Sequence, residues 1–184
     1  MSLKLTCHPR DYCAAIDRVT AMISISPDKI LTVKYMLRGD VDGLILADHT
    51  APQREDELWE QTCLELFLQA DGSDVYYEWN LSPSSAWALY AFDAYRGERV
   101  LPEIASLPRI RTHHESDIYT LLADIDLKEL SGITEAQQVN IGLSAVLEEA
   151  SGHKSYWALA HAGEKPDFHN RDCFTYQLKA ADTP

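Results

Sequence analysis

No stretch of this 184-residue chain approaches the ~18 consecutive apolar residues of a membrane-spanning helix. The opening, Met1-Ser2-Leu3-Lys4-Leu5-Thr6-Cys7-His8-Pro9, lacks the apolar core and small-residue cleavage site of a secretion signal. These two absences predict a cytoplasmic protein without a membrane partner. Basic residues are scarce: 16 Lys and Arg stand against 29 Asp and Glu, for a formal charge of −13. Such a surface repels a phosphate backbone, so no nucleic-acid partner is predicted. The four cysteines, Cys7, Cys13, Cys63 and Cys173, have neither CxxC spacing nor the density of a disulfide scaffold, and read as reduced structural thiols. Also missing are the GxSxG elbow, the HExxH helix, the P-loop and the GxGxxG turn. There is no internal repeat and no low-complexity segment.

What remains is a chain of ordinary apolar content, 46%, long enough for one well-buried domain spanning 1–184. Its pattern is short apolar or alternating runs separated by turn signals. Strands are predicted at 2–7, 14–25, 30–37, 43–47, 62–69, 75–82, 86–92, 109–115, 118–124, 139–149, 155–160 and 173–178. Turns between them include Ser26-Pro27-Asp28, Arg38-Gly39-Asp40 and Ala70-Asp71-Gly72-Ser73. Helix is confined to single turns at 126–130 and 134–137. The fold class is therefore all-β: a two-sheet antiparallel β-sandwich, jelly-roll-like, with one or two short helical turns. The two longest connections, 49–58 and 93–107, are the places where function tends to sit.

The most informative stretch is Leu58-Trp59-Glu60-Gln61-Thr62-Cys63-Leu64-Glu65-Leu66-Phe67. Alternation puts Thr62, Leu64, Leu66 and Leu68 on one face and Cys63, Glu65, Phe67 and Gln69 on the other. The next run gives Val75, Tyr77, Trp79 and Leu81 one face and Tyr76, Glu78, Asn80 and Ser82 the other. Two neighbouring strands thus offer Glu65, Glu78 and Asn80 close to Trp59. Flat aromatics cover the C–H faces of a sugar ring, while carboxylates and amides pair its hydroxyls. Trp79 and Trp87 fall within apolar faces and read as core. Trp157, alternating with Ser155, Leu159 and His161, fits either core or site.

Trp59 through Phe67 resembles the tryptophan-to-glutamate motif of carbohydrate-binding module family 9, within the wider group of DOMON-like β-sandwiches. Tyr77-Glu78-Trp79-Asn80 resembles that family's next strand. Ser155-Tyr156-Trp157-Ala158-Leu159-Ala160-His161, Pro166-Asp167-Phe168-His169 and Cys173-Phe174 resemble its last two strands and the loop between them. The resemblance implies a ligand held between Trp59 and Phe168, with Glu65 and Asn80 as polar contacts and Trp157, His161 and His169 close by. Glu78 stands where the family has arginine, and Thr62 where it has aspartate, which implies a pocket with two acids and no arginine.

Competing chemistries are thinner. His161, Asp167 and His169 match no standard zinc spacing. Calcium on Asp40-Val41-Asp42 or Asp71-Gly72-Ser73-Asp74 would resemble no EF-hand loop. A haem would need Met36 and His161 to oppose each other, and no pattern places them so. No cofactor or metal is predicted. The expected function is non-catalytic binding of a carbohydrate or sugar-like metabolite through an aromatic clamp and acidic residues. The alternatives are a glycoside hydrolase using Glu65 and Glu78, or an interaction domain whose site is vestigial.

Overall fold

A computed structural model describes residues 1–179. These residues form twelve strands: β1 (Leu3–Cys7), β2 (Ile16–Ile25), β3 (Ile30–Gly39), β4 (Cys63–Ala70), β5 (Tyr76–Leu81), β6 (Trp87–Phe92), β7 (Arg99–Val100), β8 (Arg109–Glu115), β9 (Ile118–Asp126), β10 (Gln138–Glu148), β11 (Lys154–Ala158) and β12 (Tyr176–Lys179). The structure is 48% strand and 7% helix, and each strand pair is antiparallel, as the alternation predicts. No helix among the described residues is long and apolar enough to cross a membrane.

The hydrogen-bonded path runs β7-β6-β5-β4-β10-β11-β1-β2-β3-β9-β8, with β12 continuing on β10, and it curls into a half-barrel. One strand makes the curl possible. β1 pairs with β2 through Leu3, Lys4 and Leu5, then with β11 through Thr6 and Cys7. Changing partner midway lets a single path fold over a shared interior. Leu31, Val33, Tyr35 and Leu37 of β3 share one apolar core with Leu64, Leu66 and Leu68 of β4 and Ile141, Leu143 and Ala145 of β10. The Tyr35 hydroxyl donates to the Glu65 carbonyl across that interior at 2.5 Å.

The two ends of the path differ in a way that positions the site. In β3 and β9 buried positions alternate with half-buried ones, as in a sheet wetted on one face. In β4 and β5 nearly every residue is buried. Both faces of that part of the sheet are covered, the inner by the core and the outer by the connections that follow.

Three segments depart from the sequence reading. Residues 43–47 form no strand; Val41–Gly43 is a 3-10 turn whose backbone bonds are satisfied locally, leaving Leu44 a single bridge to Glu149. Residues 134–137 form no helical turn, whereas Leu127–Glu129 is one, capped where the Asp126 carboxylate accepts from the Lys128 N–H. The last strand starts at Tyr176 because the Asn170 side chain accepts from the Asp172 N–H and holds Arg171–Cys173 in a 3-10 turn. Two-residue β7 was hidden in the connection 93–107.

Tyr35→Phe removes the buried hydroxyl bond across the interior without changing shape. Loss of one such bond costs about 1–2 kcal/mol, so urea unfolding should show a lower midpoint at unchanged slope. An unchanged midpoint would mean the bond contributes nothing net.

Candidate ligand pocket

The outer face of β4, β5, β6 and β10 carries Glu65, Phe67, Glu78, Tyr90, Phe92 and Val146, and these line a cavity of about 540 Å³. Its walls come from elsewhere. Trp59 and Glu60 arrive on the 3-10 turn Leu58–Glu60, Arg96 on the connection into β7 and Arg99 on β7 itself, Lys154 and Tyr156 on β11, and Pro166, Phe168 and His169 on the loop after β11. Two wall segments turn on left-handed non-glycine residues, Glu57 (φ 60°) before Trp59 and Arg96 (φ 49°). Such conformations persist where the surroundings enforce them, and they concentrate at binding sites. Here the Asp56 carboxylate accepts from the Glu57 N–H at 3.0 Å, and the Arg96 N–H donates to the Tyr76 hydroxyl at 3.3 Å.

The floor is an acid pair. Asn80 lies opposite Glu65 and Glu78 opposite Phe67, so the two glutamates are diagonal neighbours on one face. Glu65 is 3% exposed and Glu78 4%. Ser144 donates to Glu65 Oε2 at 2.7 Å, and Asn80 Nδ2 donates to Glu78 Oε1 at 2.6 Å. The other oxygen of each carboxyl has no hydrogen-bond donor among the described residues. Burial raises both carboxyls above the ordinary range. For Glu65 the charge of Glu78 adds to the rise and the Ser144 bond opposes it; for Glu78 the Asn80 bond and the charges of Arg99 and Arg96 oppose it.

His169 stands beside the floor in an aromatic box, 5.5 Å from Phe67, 5.1 Å from Phe92 and 6.0 Å from Tyr76 between ring centres. Burial, then the charge of Arg96, holds its pKa down to about 4, so the ring is neutral. The Tyr76 hydroxyl accepts from the Arg96 N–H and lies 2.9 Å from His169 Nδ1, as donor or acceptor according to the ring's tautomer. The other ring nitrogen, Nε2, lies 3.7 Å from Glu78 Oε2, beyond hydrogen-bond distance.

The cations on the walls are tied to other acids. Arg96 binds Asp167 at 2.8 Å; burial alone would raise that carboxyl, but the Tyr95 hydroxyl and Arg96 outweigh it and lower it. Arg99 reaches Asp56 at 3.4 Å and lies over the rings of Tyr90 (4.8 Å) and Trp59 (5.7 Å), a cation–π pair on each. The Tyr90 hydroxyl donates to Asp56 as well and is the main cause of that carboxyl's lowered pKa. Behind the floor, Gly142 faces Phe67 across the ladder, and a Cβ there would meet the Phe174 ring at 2.5 Å. The missing side chain lets Phe174 stack on Phe67 at 5.4 Å and anchors the loop that delivers Phe168 and His169.

Of the residues singled out from sequence, Trp59, Glu65, Glu78, Phe168 and His169 line one cavity. Asn80 does not; it is fully buried, with its amide on Glu78 and its carbonyl oxygen accepting from the Cys63 thiol at 3.2 Å. Trp157 lies on the inner face in the core, its indole N–H donating to Ser155. His161 sits beside the pocket, bonded to the Thr6 carbonyl and edge-on to His8 at 4.9 Å. Among the described residues no three His, Cys, Asp or Glu side chains are grouped to hold a metal ion. The pocket also holds arginine, contrary to the expectation of two acids without one. Arg96 and Arg99 come from a connection of no regular pattern, where they are the basic residues of 93–107. Tyr90 and Phe92 were legible in principle, since β6 is apolar on both faces.

Three solved structures share this chain's fold over nearly its whole length. A candidate carbohydrate-binding protein from Bacteroides uniformis is 15% identical, with a TM-score of 0.68 over 97% of this chain and 85% of the other. A family 9 carbohydrate-binding module from Caldicellulosiruptor kristjanssonii in complex with glucose is 14% identical, with a TM-score of 0.52 over 96% and 83%. The same kind of module from that organism, in complex with cellotriose, is 14% identical, with a TM-score of 0.51 over 96% and 82%. The fold is that of a family 9 carbohydrate-binding module. No protein-family profile and no curated protein matches the sequence.

The pocket's electrostatics fix a pH response. Glu65 and Glu78, raised by folding, contribute stability at acid pH that is lost as pH climbs through their raised values. His169, lowered by folding, contributes stability above about pH 6.5 that is lost as pH falls toward 4. The two effects oppose each other below about pH 6.5, and above it the carboxyl effect acts alone. The melting temperature should therefore fall from neutral toward mildly alkaline pH, by at most about 1.4 kcal/mol per unit for each proton, or on the order of 3–5 °C. Thermal melts of Glu65→Gln should be flatter over that range. A slope equal to wild type would show that Glu65 ionises freely in the fold.

Proposed function

We propose that the chain is a non-catalytic carbohydrate-binding domain whose ligand lies in the cavity over Glu65 and Glu78, between Trp59 and Phe168 as an aromatic clamp. The observation that carries this reading is the pairing of aromatic walls with carboxyl oxygens left without protein donors. Sugar hydroxyls donate to such oxygens, and sugar C–H faces pack on such rings. The cavity suits one or two pyranose rings. Similarity in fold to modules held in complex with glucose and with cellotriose supports the class of ligand. In this reading the curled path acts as a two-sheet sandwich, with the rigid sheet as floor and three connections as walls. It requires no cofactor.

A second reading rests on the acid pair itself. Two carboxyls on neighbouring strands, at least one of them protonated, are the raw material of glycoside hydrolysis. Mass spectrometry of a β-1,4-glucan trimer after long incubation with the protein separates the two, since shortened products would make the domain an enzyme.

Trp59→Ala tests the binding reading. An aromatic platform at a pocket centre is a hot spot, and its truncation costs on the order of 2 kcal/mol or more, about a 30-fold loss of affinity. Trp59 sits on a surface turn, so the melting temperature should move by only a few degrees, about what 1 kcal/mol gives in a domain this size. Calorimetric titration with cellotriose gives the first number and thermal melting the second. Unchanged affinity with a collapsed melting temperature would assign Trp59 to structure alone.

A further inference from the structure

Each guanidinium of the pocket already has its own carboxylate: Arg96 holds Asp167 at 2.8 Å and Arg99 holds Asp56 at 3.4 Å. The floor pair is bonded to no guanidinium, although the charges of Arg99 and Arg96 reach Glu78 from the walls. Within ion-pair distance of Glu65 or Glu78 the described residues offer only His169, 3.7 Å from Glu78 and neutral. Lys154, also on the lining, makes no ion pair with either glutamate. Both glutamates are more than nine-tenths buried, and each keeps one oxygen without a donor. A buried acid pair without a cation is costly, and a ligand bearing positive charge relieves that cost where a neutral one cannot.

We infer that the pocket selects a sugar carrying a free primary amine, its ammonium seated between Glu65 Oε1 and Glu78 Oε2. This rests on the carbohydrate reading of the same cavity and narrows it to aminosugars. An ammonium has three N–H donors and no acceptor, which matches two acceptor oxygens with one donor left for water or a neighbouring hydroxyl. Its charge favours the ionised form of both acids, so both free oxygens are acceptors. Ser144 and Asn80 hold the opposite oxygen of each acid, so both free oxygens are fixed before the ligand arrives. Neutral hydroxyls would bond to the same atoms without that charge term, and charge-assisted hydrogen bonds are roughly twice as strong as neutral ones.

Three β-1,4-linked trimers that differ only at C2 isolate the charge: cellotriose with hydroxyl, fully deacetylated chitotriose with ammonium, and chitotriose with acetamide. Calorimetry at neutral pH should show the ammonium trimer binding wild type about tenfold or more tighter than either neutral one. In Glu65→Gln and Glu78→Gln that ratio should fall toward one, whatever happens to the absolute affinities, with thermal melts confirming that both variants fold. Equal affinity of wild type for cellotriose and the ammonium trimer would overturn the aminosugar inference and leave the carbohydrate reading standing. Failure of all three trimers to bind would overturn both. Ethanolamine is the remaining arm; if it binds as tightly as the ammonium trimer, the site recognises an amine without its sugar and the inference falls.

Discussion

A strand buried on both faces can carry a carboxylate only where a cavity gives that carboxylate somewhere to point. The site follows from this constraint. β4 and β5 need Leu64, Leu66, Trp79 and Leu81 for the interior they share with β3. The alternation that supplies those residues fixes Glu65 and Glu78 on the opposite face, diagonal to each other. Were that face open to solvent, two exposed glutamates would be unremarkable. Because connections cover it, both are enclosed, and the fold must supply Ser144 and Asn80 to hold one oxygen of each. The cavity is then the space that the remaining oxygens require.

Electrostatic separation keeps this arrangement from collapsing into internal ion pairs. Arg96 and Arg99 approach the same cavity, and either could have bridged to the floor. Asp167 and Asp56 intercept them, and the rings of Trp59 and Tyr90 lie under the Arg99 guanidinium. The walls thus carry balanced charge and the floor carries an unbalanced pair. His169 belongs with the floor by position, yet burial among Phe67, Phe92 and Tyr76 keeps it uncharged. A charged histidine there would have satisfied Glu78 and removed the polarity that distinguishes this pocket.

The sheet was legible in sequence because alternation is a local signal. Alternation puts the residues of β4 and β5 on the faces they occupy, and the antiparallel all-β character follows from strand spacing, whereas the single curled path does not. What failed was local pattern standing in for long-range placement. Trp157 and Asn80 sit on site strands, but one points inward and the other spends both ends of its amide on Glu78 and Cys63. Arg96 and Arg99 lay in a connection without periodicity, where sequence carries no information about direction. The partner change in β1 was equally invisible, since five residues of even alternation do not say that two of them pair elsewhere. Gly142 reads as an isolated glycine in a strand, and its meaning appears only with Phe174 packed against it.

The division of labour between sheet and connections governs how such a pocket changes. The floor is bound into the ladder: moving Glu65 or Glu78 by one position would send a core leucine or tryptophan outward, at the cost of the interior itself. The walls that come from loops have no such tie, unlike Lys154 and Tyr156 on β11 and Arg99 on β7. The turn carrying Trp59, the connection carrying Arg96, and the loop carrying Phe168 and His169 each rest on a few side-chain bonds and stacked rings. Substitution there alters the reach and polarity of the rim without touching the core. Exchanging a floor residue for another of similar size, as glutamate for glutamine, changes charge while leaving the alternation intact. The chemistry of the cavity floor is therefore set by a few outward-facing positions on a sheet bound into its ladder, and the shape of its rim by loops that are not.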